Sequence, residues 1–298
     1  MRIDGVFAGG GVKAFSFIGA LQVMEEKGYE FERVGGTSAG SIIAALVKAG
    51  YRSEELYHLL DKLNVDEFKD ERMSYIPFSM AKWLHLYFKL GLFKGEKLEN
   101  WLRDILKAKG ISTFADLPDG TLKIIASDLS RGKMIVLPDD LKQYGAIPGM
   151  FSVARAVRMS CSIPYFFEPV KLYNRTGIGK ASYIVDGGIL SNFPMWLFRD
   201  GKVRAWKRPV VGFQLTPQIK EIPPNKINNA ITMFKALFET MSSAHDLRYV
   251  EQGDAKNIVF IPVLDVKATD FSISEDVKQK LITLGREETD HFLKCWSR

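Results

Sequence analysis

The chain has 298 residues, 46% hydrophobic and 26% charged, with a formal net charge of +6. This is ordinary globular composition with ample material for a full core. No apolar run of membrane-spanning length occurs, and the scattered Lys and Arg form no nucleic-acid motif, so the positive excess suits either a mildly basic soluble protein or one with affinity for an anionic surface such as a membrane.

Ile3 to Ala8 predicts a short strand, followed by the loop Gly9-Gly10-Gly11-Val12-Lys13. Ala14, Phe15, Phe17, Ile18, Ala20, Leu21 and Met24 then mark a helix with a broad apolar face, stopped at Lys27-Gly28. The glycine loop is not a dinucleotide fingerprint, because position 14 is alanine where the third glycine is required. Glu30 or Glu32 could still serve as that motif's acidic residue. No phosphate-binding P-loop pattern is present.

A second strand runs into Gly36-Thr37-Ser38-Ala39-Gly40, and a helical pattern begins directly after it. This is a G-x-S-x-G elbow in the strand–turn–helix context that the motif needs. A Cβ on either side of the serine would clash in so sharp a turn. Ser38 is therefore the candidate nucleophile. In a parallel sheet the two loops share the carboxyl edge, so N–H groups of the glycine loop can face whatever Ser38 attacks.

Ser53, as N-cap, opens the next helix. Residues 73–94 are the most aromatic stretch, with Phe78, Trp83, Tyr87, Phe88 and Phe93 among Lys82, His85, Lys89 and Lys94. Two readings stand: a buried flap over the core, or a lipid-facing cap with rings at headgroup level. Glu96 to Leu106 continues as an amphipathic helix, so a helical aromatic-rich cap is expected over about 53–110 within one domain of residues 1–298. Leu122–Ala126 and Met134–Leu137 read as a hairpin-like strand pair. Asp128, in the turn between them, is a turn-organising carboxylate or a supporting site residue.

Tyr183-Ile184-Val185 is a short strand that ends at Asp186-Gly187-Gly188. A serine nucleophile needs a base. His58, His85, His245 and His291 all lie in helical stretches and not on strand-following loops; His245 falls in a pattern marked by Ile227, Ile231, Phe234, Leu237 and Met241. Asp186 is therefore the better base, provided burial and positioning raise its basicity. Cys161 and Cys295 are far apart without metal spacing, which suits reduced thiols in a cytosolic protein. The first residues lack a secretory leader pattern.

Three blocks in this order and spacing, Gly9–Lys13, Gly36–Gly40 and Asp186–Gly188, resemble the patatin-like phospholipase family. Gly91–Gly95, Ala156–Val170 and Thr269–Glu287 are similar to further stretches of it, so the resemblance spans nearly the whole chain. It implies a three-layer α/β/α sandwich with a mainly parallel central sheet. It implies acyl-ester hydrolysis of a phospholipid or other lipid ester without a metal at the active centre; no cofactor is expected, and the thiols, the missing leader pattern and the aromatic-lysine stretch suit a cytoplasmic protein that touches the membrane peripherally. By matching positions, Ser38 is the nucleophile and Asp186 the base of a Ser–Asp dyad. The N–H groups of Gly9, Gly10, Gly11 and Val12 form the oxyanion hole, Gly36 and Gly40 shape the elbow, and Gly187 and Gly188 support the carboxylate. Ala14 departs from the glycine common in the family, and residues 171–182 are longer and more polar than expected before the aspartate. A Ser-His-Asp esterase and a non-catalytic lipid-binding protein of the same fold are the alternatives.

Overall fold

A computed structural model describes residues 1–61, 90–173, 181–199, 206–217, 227–228, 232–233, 236–238, 240–241, 255–263 and 273–296. Most of the aromatic segment 73–94, the stretch 174–180, Thr269–Phe271, His85 and His245 lie outside them.

Strand β1 (Arg2–Phe7) passes through a 3-10 turn at Gly11–Ala14 into helix α1 (Phe15–Glu26). Gly28, at φ 73°, ends that helix as the Lys-Gly signal predicts. Strand β2 (Glu30–Thr37) leads through the elbow into α2 (Ala39–Lys48). Helix α3 (Ser53–Asp61) begins at Ser53, but the Ser53 hydroxyl and N–H both donate to the Glu25 carboxylate, 2.9 Å each. Ser53 thus ties α3 to α1 and is not the predicted N-cap.

The middle of the chain supplies β3 (Gly91–Phe93), α4 (Glu96–Ala108), β4 (Leu122–Asp128), β5 (Lys133–Leu137) and α5 (Val153–Ser160). Then come β6 (Tyr165–Phe167), β7 (Val170–Leu172), β8 (Ser182–Asp186), β9 (Val210–Pro217), β10 (Ile258–Val263) and the long helix α6 (Glu275–Cys295). The main sheet runs β10-β9-β1-β2-β4-β8-β7, with β5 also on β4. The pairs from β10 through β4 are parallel. Strands β5, β7 and β8 pair antiparallel. The sheet lies between helical layers, which is the expected α/β/α arrangement with a mainly parallel centre.

Contacts at glycines reveal how the layers close on the sheet. Helices α1 and α6 cross with backbones almost touching, since a Cβ on Gly19 would fall 1.9 Å from the Ile282 carbonyl oxygen and one on Gly285 1.8 Å from that of Ser16. On the opposite face, Gly35 and Gly212 leave room for Leu197, Phe193 and Met195 of the segment that follows β8. Phe7, Phe17 and Phe213 are fully buried at the centre, and Phe7 stacks on Phe213 at 5.0 Å between ring centroids.

The registers on β4 decide where the site can form. Ile124 and Ile125 pair with both β2 and β5, so those strands lie on opposite edges of β4. Ala126 to Asp128 pair with both β5 and β8, so β8 takes the same edge as β2. Thr37, the last residue of β2, faces Ile125; Asp186, the last residue of β8, faces Ala126. Two strands running in opposite directions therefore meet end to end on one edge, with their carboxyl termini toward each other.

Candidate active site

The elbow follows directly from the glycines. A Cβ on Gly36 would lie 2.5 Å from the carbonyl of Gly40, and one on Gly40 would lie 2.3 Å from the Phe7 carbonyl oxygen. Only hydrogen fits at either position. Between them Ser38 adopts φ 51° and ψ −127°, a sparsely populated conformation for a residue with a side chain. Such strain costs about 1–3 kcal/mol and persists only where the surroundings fix it. Here they do. The Ser38 N–H donates to Ser160 Oγ at 2.8 Å, while the Ser38 carbonyl accepts from Ser41 N–H at 2.8 Å and from Ser41 Oγ at 2.6 Å.

Asp186 is completely buried. Its Oδ1 accepts the Gly188 N–H at 2.7 Å, while Oδ2 has no hydrogen bond of regular geometry among the described residues. Burial pushes the carboxyl up to about 7 from its usual acidic value, and the Ser38 hydroxyl and the Gly188 N–H hold it below where burial alone would leave it. The Ser38 side chain thus acts on this carboxyl without being locked to it. Behind Asp186, a Cβ on Gly187 would meet the Ile125 carbonyl oxygen at 2.4 Å and Thr37 Cγ2 at 2.9 Å. Thr37 Oγ1 also donates to the Ser191 carbonyl at 2.9 Å. The turn after β8 is thereby fastened to the last residue before Ser38.

The triple-glycine loop arrives beside the serine, since a Cβ on Gly9 would stand 3.3 Å from Ser38 Cβ. The Gly9 N–H, however, donates to the Asn192 carbonyl at 3.0 Å and is not open to a ligand. Lys13 N–H closes the turn on Gly10 O at 3.3 Å. The N–H groups of Gly10, Gly11 and Val12 have no partner among the described residues. Of the four predicted donors, Gly9 is thus committed to holding the loop on the segment after Asp186, and the other three N–H groups remain candidates.

Asp128 is the organiser of its turn. It accepts Tyr144 OH at 2.7 Å and the Arg131 N–H at 3.1 Å, with the Arg131 guanidinium over the Tyr144 ring at 4.3 Å. It sits opposite Ile184, two residues before Asp186 on β8. Tyr144→Phe is expected to cost about 1–3 kcal/mol of stability, because it takes from the buried Asp128 Oδ2 its hydrogen bond and leaves that oxygen only the longer ion pair with Arg131 at 3.8 Å. A urea titration beside an unchanged rate on a small ester would check this.

Sequence reasoning assigned no role to Ser160 and Ser162. They stand in a polar Ser-Cys-Ser run closing α5, whose amphipathic pattern is visible, but only the tertiary structure aims them at the site. Cys161 between them is a buried free thiol, held neutral first by burial and then by the charge of Asp186. His58 and His291 are exposed on α3 and α6, and no described histidine acts on Asp186. Residues 232–233, 236–238 and 240–241 are helical as the pattern predicts, with Phe238 against Gly188 but Leu237 and Met241 turned toward solvent. Among the described residues no group of three or more metal-ligating side chains occurs, and no helix is long and apolar enough to cross a membrane.

Residues 5–199 match the family described as patatin-like phospholipase. The protein YqhO of Bacillus subtilis (strain 168) is 52% identical over 297 residues, covering all of both chains. The probable lipid hydrolase 463L of Invertebrate iridescent virus 6 is 26% identical over 196 residues, 64% of this chain and 61% of the viral protein. The crystal structure of VipD from Legionella pneumophila superposes with a TM-score of 0.59 at 16% identity, over 99% of this chain and 67% of VipD, a likeness of fold.

Proposed function

The chain belongs to the patatin-like phospholipase family, and from that premise we propose that it is a serine lipid acyl hydrolase working through a Ser38–Asp186 dyad. One observation carries the reading: two strands abut on β4 and set a strained serine against a fully buried carboxyl pushed up to about 7. A group of that basicity can take a proton and return it near neutral pH.

In the proposed cycle Ser38 Oγ attacks the ester carbonyl carbon and its proton passes to Asp186 Oδ2. The negative oxygen of the tetrahedral intermediate lies against the N–H groups of Gly10, Gly11 and Val12, which are fixed before the reaction starts. Asp186 then gives its proton to the departing alcohol, and the acyl group stays on Ser38. Water attacks this acyl ester and loses its proton to Asp186, which passes it to Ser38 Oγ as the serine departs, so that the fatty acid is freed and the Ser38 hydroxyl and the Asp186 carboxylate are restored. The substrate class, a phospholipid or other lipid ester, rests on the family and on the lipid-hydrolase relative.

The test is fatty-acid release from phospholipid vesicles and nitrophenol release from a short p-nitrophenyl ester. Both are expected from the wild type and absent from Ser38→Ala; equal release by the two proteins would remove the reading. A pH series adds a second expected result. Asp186 must be ionised to act as a base, so kcat/KM rises with pH and levels off above about 7. A rate flat from pH 5 to 9 would exclude this carboxyl as the base.

A further inference from the structure

The dyad reading leaves open what holds Ser38 and Asp186 at a reactive separation, since they come from strands of opposite direction. One short segment touches the backbone of both. At the end of α5, Ser160 Oγ accepts the Ser38 N–H at 2.8 Å and donates to the Ile125 carbonyl at 2.6 Å. Two residues on, the Ser162 carbonyl accepts the Asp186 N–H at 2.9 Å. Ile125 is the residue of β4 that faces Thr37, at the point where β2 and β8 meet.

This segment is itself immobilised. Ser162 Oγ donates to the Arg158 carbonyl at 2.7 Å and also accepts from the Arg158 guanidinium. That guanidinium, almost wholly buried, reaches the carbonyls of Gly95 at 2.8 Å and Glu168 at 3.0 Å and that of Lys94. A Cβ on Gly95 would lie 2.2 Å from Arg158 Nε, so the fit excludes any side chain there.

We propose that Ser160 is the positioning residue for the nucleophile: its hydroxyl, bridging the Ser38 N–H to the Ile125 carbonyl, holds the strained elbow at the distance from Asp186 that the Ser162 carbonyl sets from the other side. This inference rests on the dyad reading. Ser160 is fully buried and touches no reacting atom, and its hydroxyl is the right group because it can accept from the elbow and donate to the strand at once. An alanine there leaves the Ser38 N–H without its acceptor and lets the backbone relax from φ 51°. A misplacement of about 1 Å costs on the order of 100-fold in rate.

The experiment uses the full chain and a soluble p-nitrophenyl ester. Ser160→Ala is expected to lower kcat roughly 30- to 100-fold with KM within about twofold. The midpoint of its kcat/KM profile should also move upward, because a displaced Ser38 hydroxyl no longer acts on the carboxyl. Val157→Ala, a fully buried change on the same helix with no bond to Ser38, should lower thermal stability while kcat and the midpoint stay at wild-type values. Ser160→Cys keeps the shape with a weaker hydrogen-bonding group and should fall between wild type and alanine.

Wild-type kcat and midpoint in Ser160→Ala would overturn the inference, as would an equal fall of kcat in Val157→Ala. Should Ser160→Ala not fold, Ser160→Cys decides: reduced kcat with unchanged KM supports the role, and unreduced kcat overturns it. A wild type that hydrolyses nothing would sink the dyad reading instead.

Discussion

Asp186→Asn is expected to lower kcat on a soluble ester by about 10³–10⁴-fold with little change in KM, while making the fold more stable above neutral pH. The two effects share one cause. The carboxyl is fully buried and its pKa stands near 7 in the fold, against roughly 3.9 for an exposed aspartate. Between those values the folded chain binds a proton that the unfolded chain has released. Stability from this group is therefore greatest in acid and falls as pH rises toward 7, beyond which the loss is complete. Asparagine does not titrate, so the stability of the variant relative to wild type should grow by about 2–3 kcal/mol from pH 5 to pH 8. A counter-term acts at all pH values. Oδ2 accepts no regular hydrogen bond, so the amide nitrogen replacing it costs about 1–3 kcal/mol of lost solvation. That term sets the offset between the proteins, not the slope. Urea titrations of both at pH 5 and pH 8 would check the slope. Parallel curves would mean that Asp186 is ionised throughout, and a merely structural aspartate would leave kcat near wild type.

The local parts of this site were legible because local chemistry dictates them. Gly36 and Gly40 bracket Ser38 so tightly that neither tolerates a Cβ, and that constraint is written in five consecutive residues. The β1–loop–α1 unit and the β4–β5 pair follow from apolar periodicity and turn residues in the same way. The Ser53 cap failed because the helix starts one residue earlier, with the Leu56 N–H on the Arg52 carbonyl and the Arg52 N–H on Glu55, which leaves the Ser53 hydroxyl to reach Glu25, distant in sequence. Gly9 failed as a donor because its N–H is taken by Asn192 across the fold. The convergence of β2 and β8 depends on which edge of β4 each strand selects, and no spacing along the chain encodes an edge. Ser160 and Ser162 were hidden further still, since a serine that orients a backbone looks in sequence like any polar residue at a helix end. The exposed Leu237 and Met241 belong here too: the period announced a helix correctly, but not which side of it meets water.

Gly40→Ala should be the most damaging single-methyl change near the site. The added Cβ would lie 2.3 Å from the Phe7 carbonyl oxygen and 2.5 Å from that of Ala8. Both are backbone atoms of the strand leading into the glycine loop, so no side-chain rotation relieves the contact. Either α2 lifts from β1 or the loop withdraws, and each movement separates Ser38 from the N–H groups of Gly10, Gly11 and Val12. Overpacking of this kind costs about 3 kcal/mol or more. For a chain of 298 residues that is a fall of roughly 5 °C in Tm. Loss of alignment between nucleophile and donors should lower kcat about 100-fold beyond any effect of partial unfolding, measured well below the transition. Alanine's better helix propensity offers under about 1 kcal/mol in return. Gly149→Ala is the matched control, since its Cβ would come no closer than 3.6 Å to any atom; it should leave both Tm and kcat at wild-type values. A Gly40→Ala protein with unaltered rate would show that the elbow and the glycine loop can part without consequence, and the three N–H groups would lose their assigned place in the reaction.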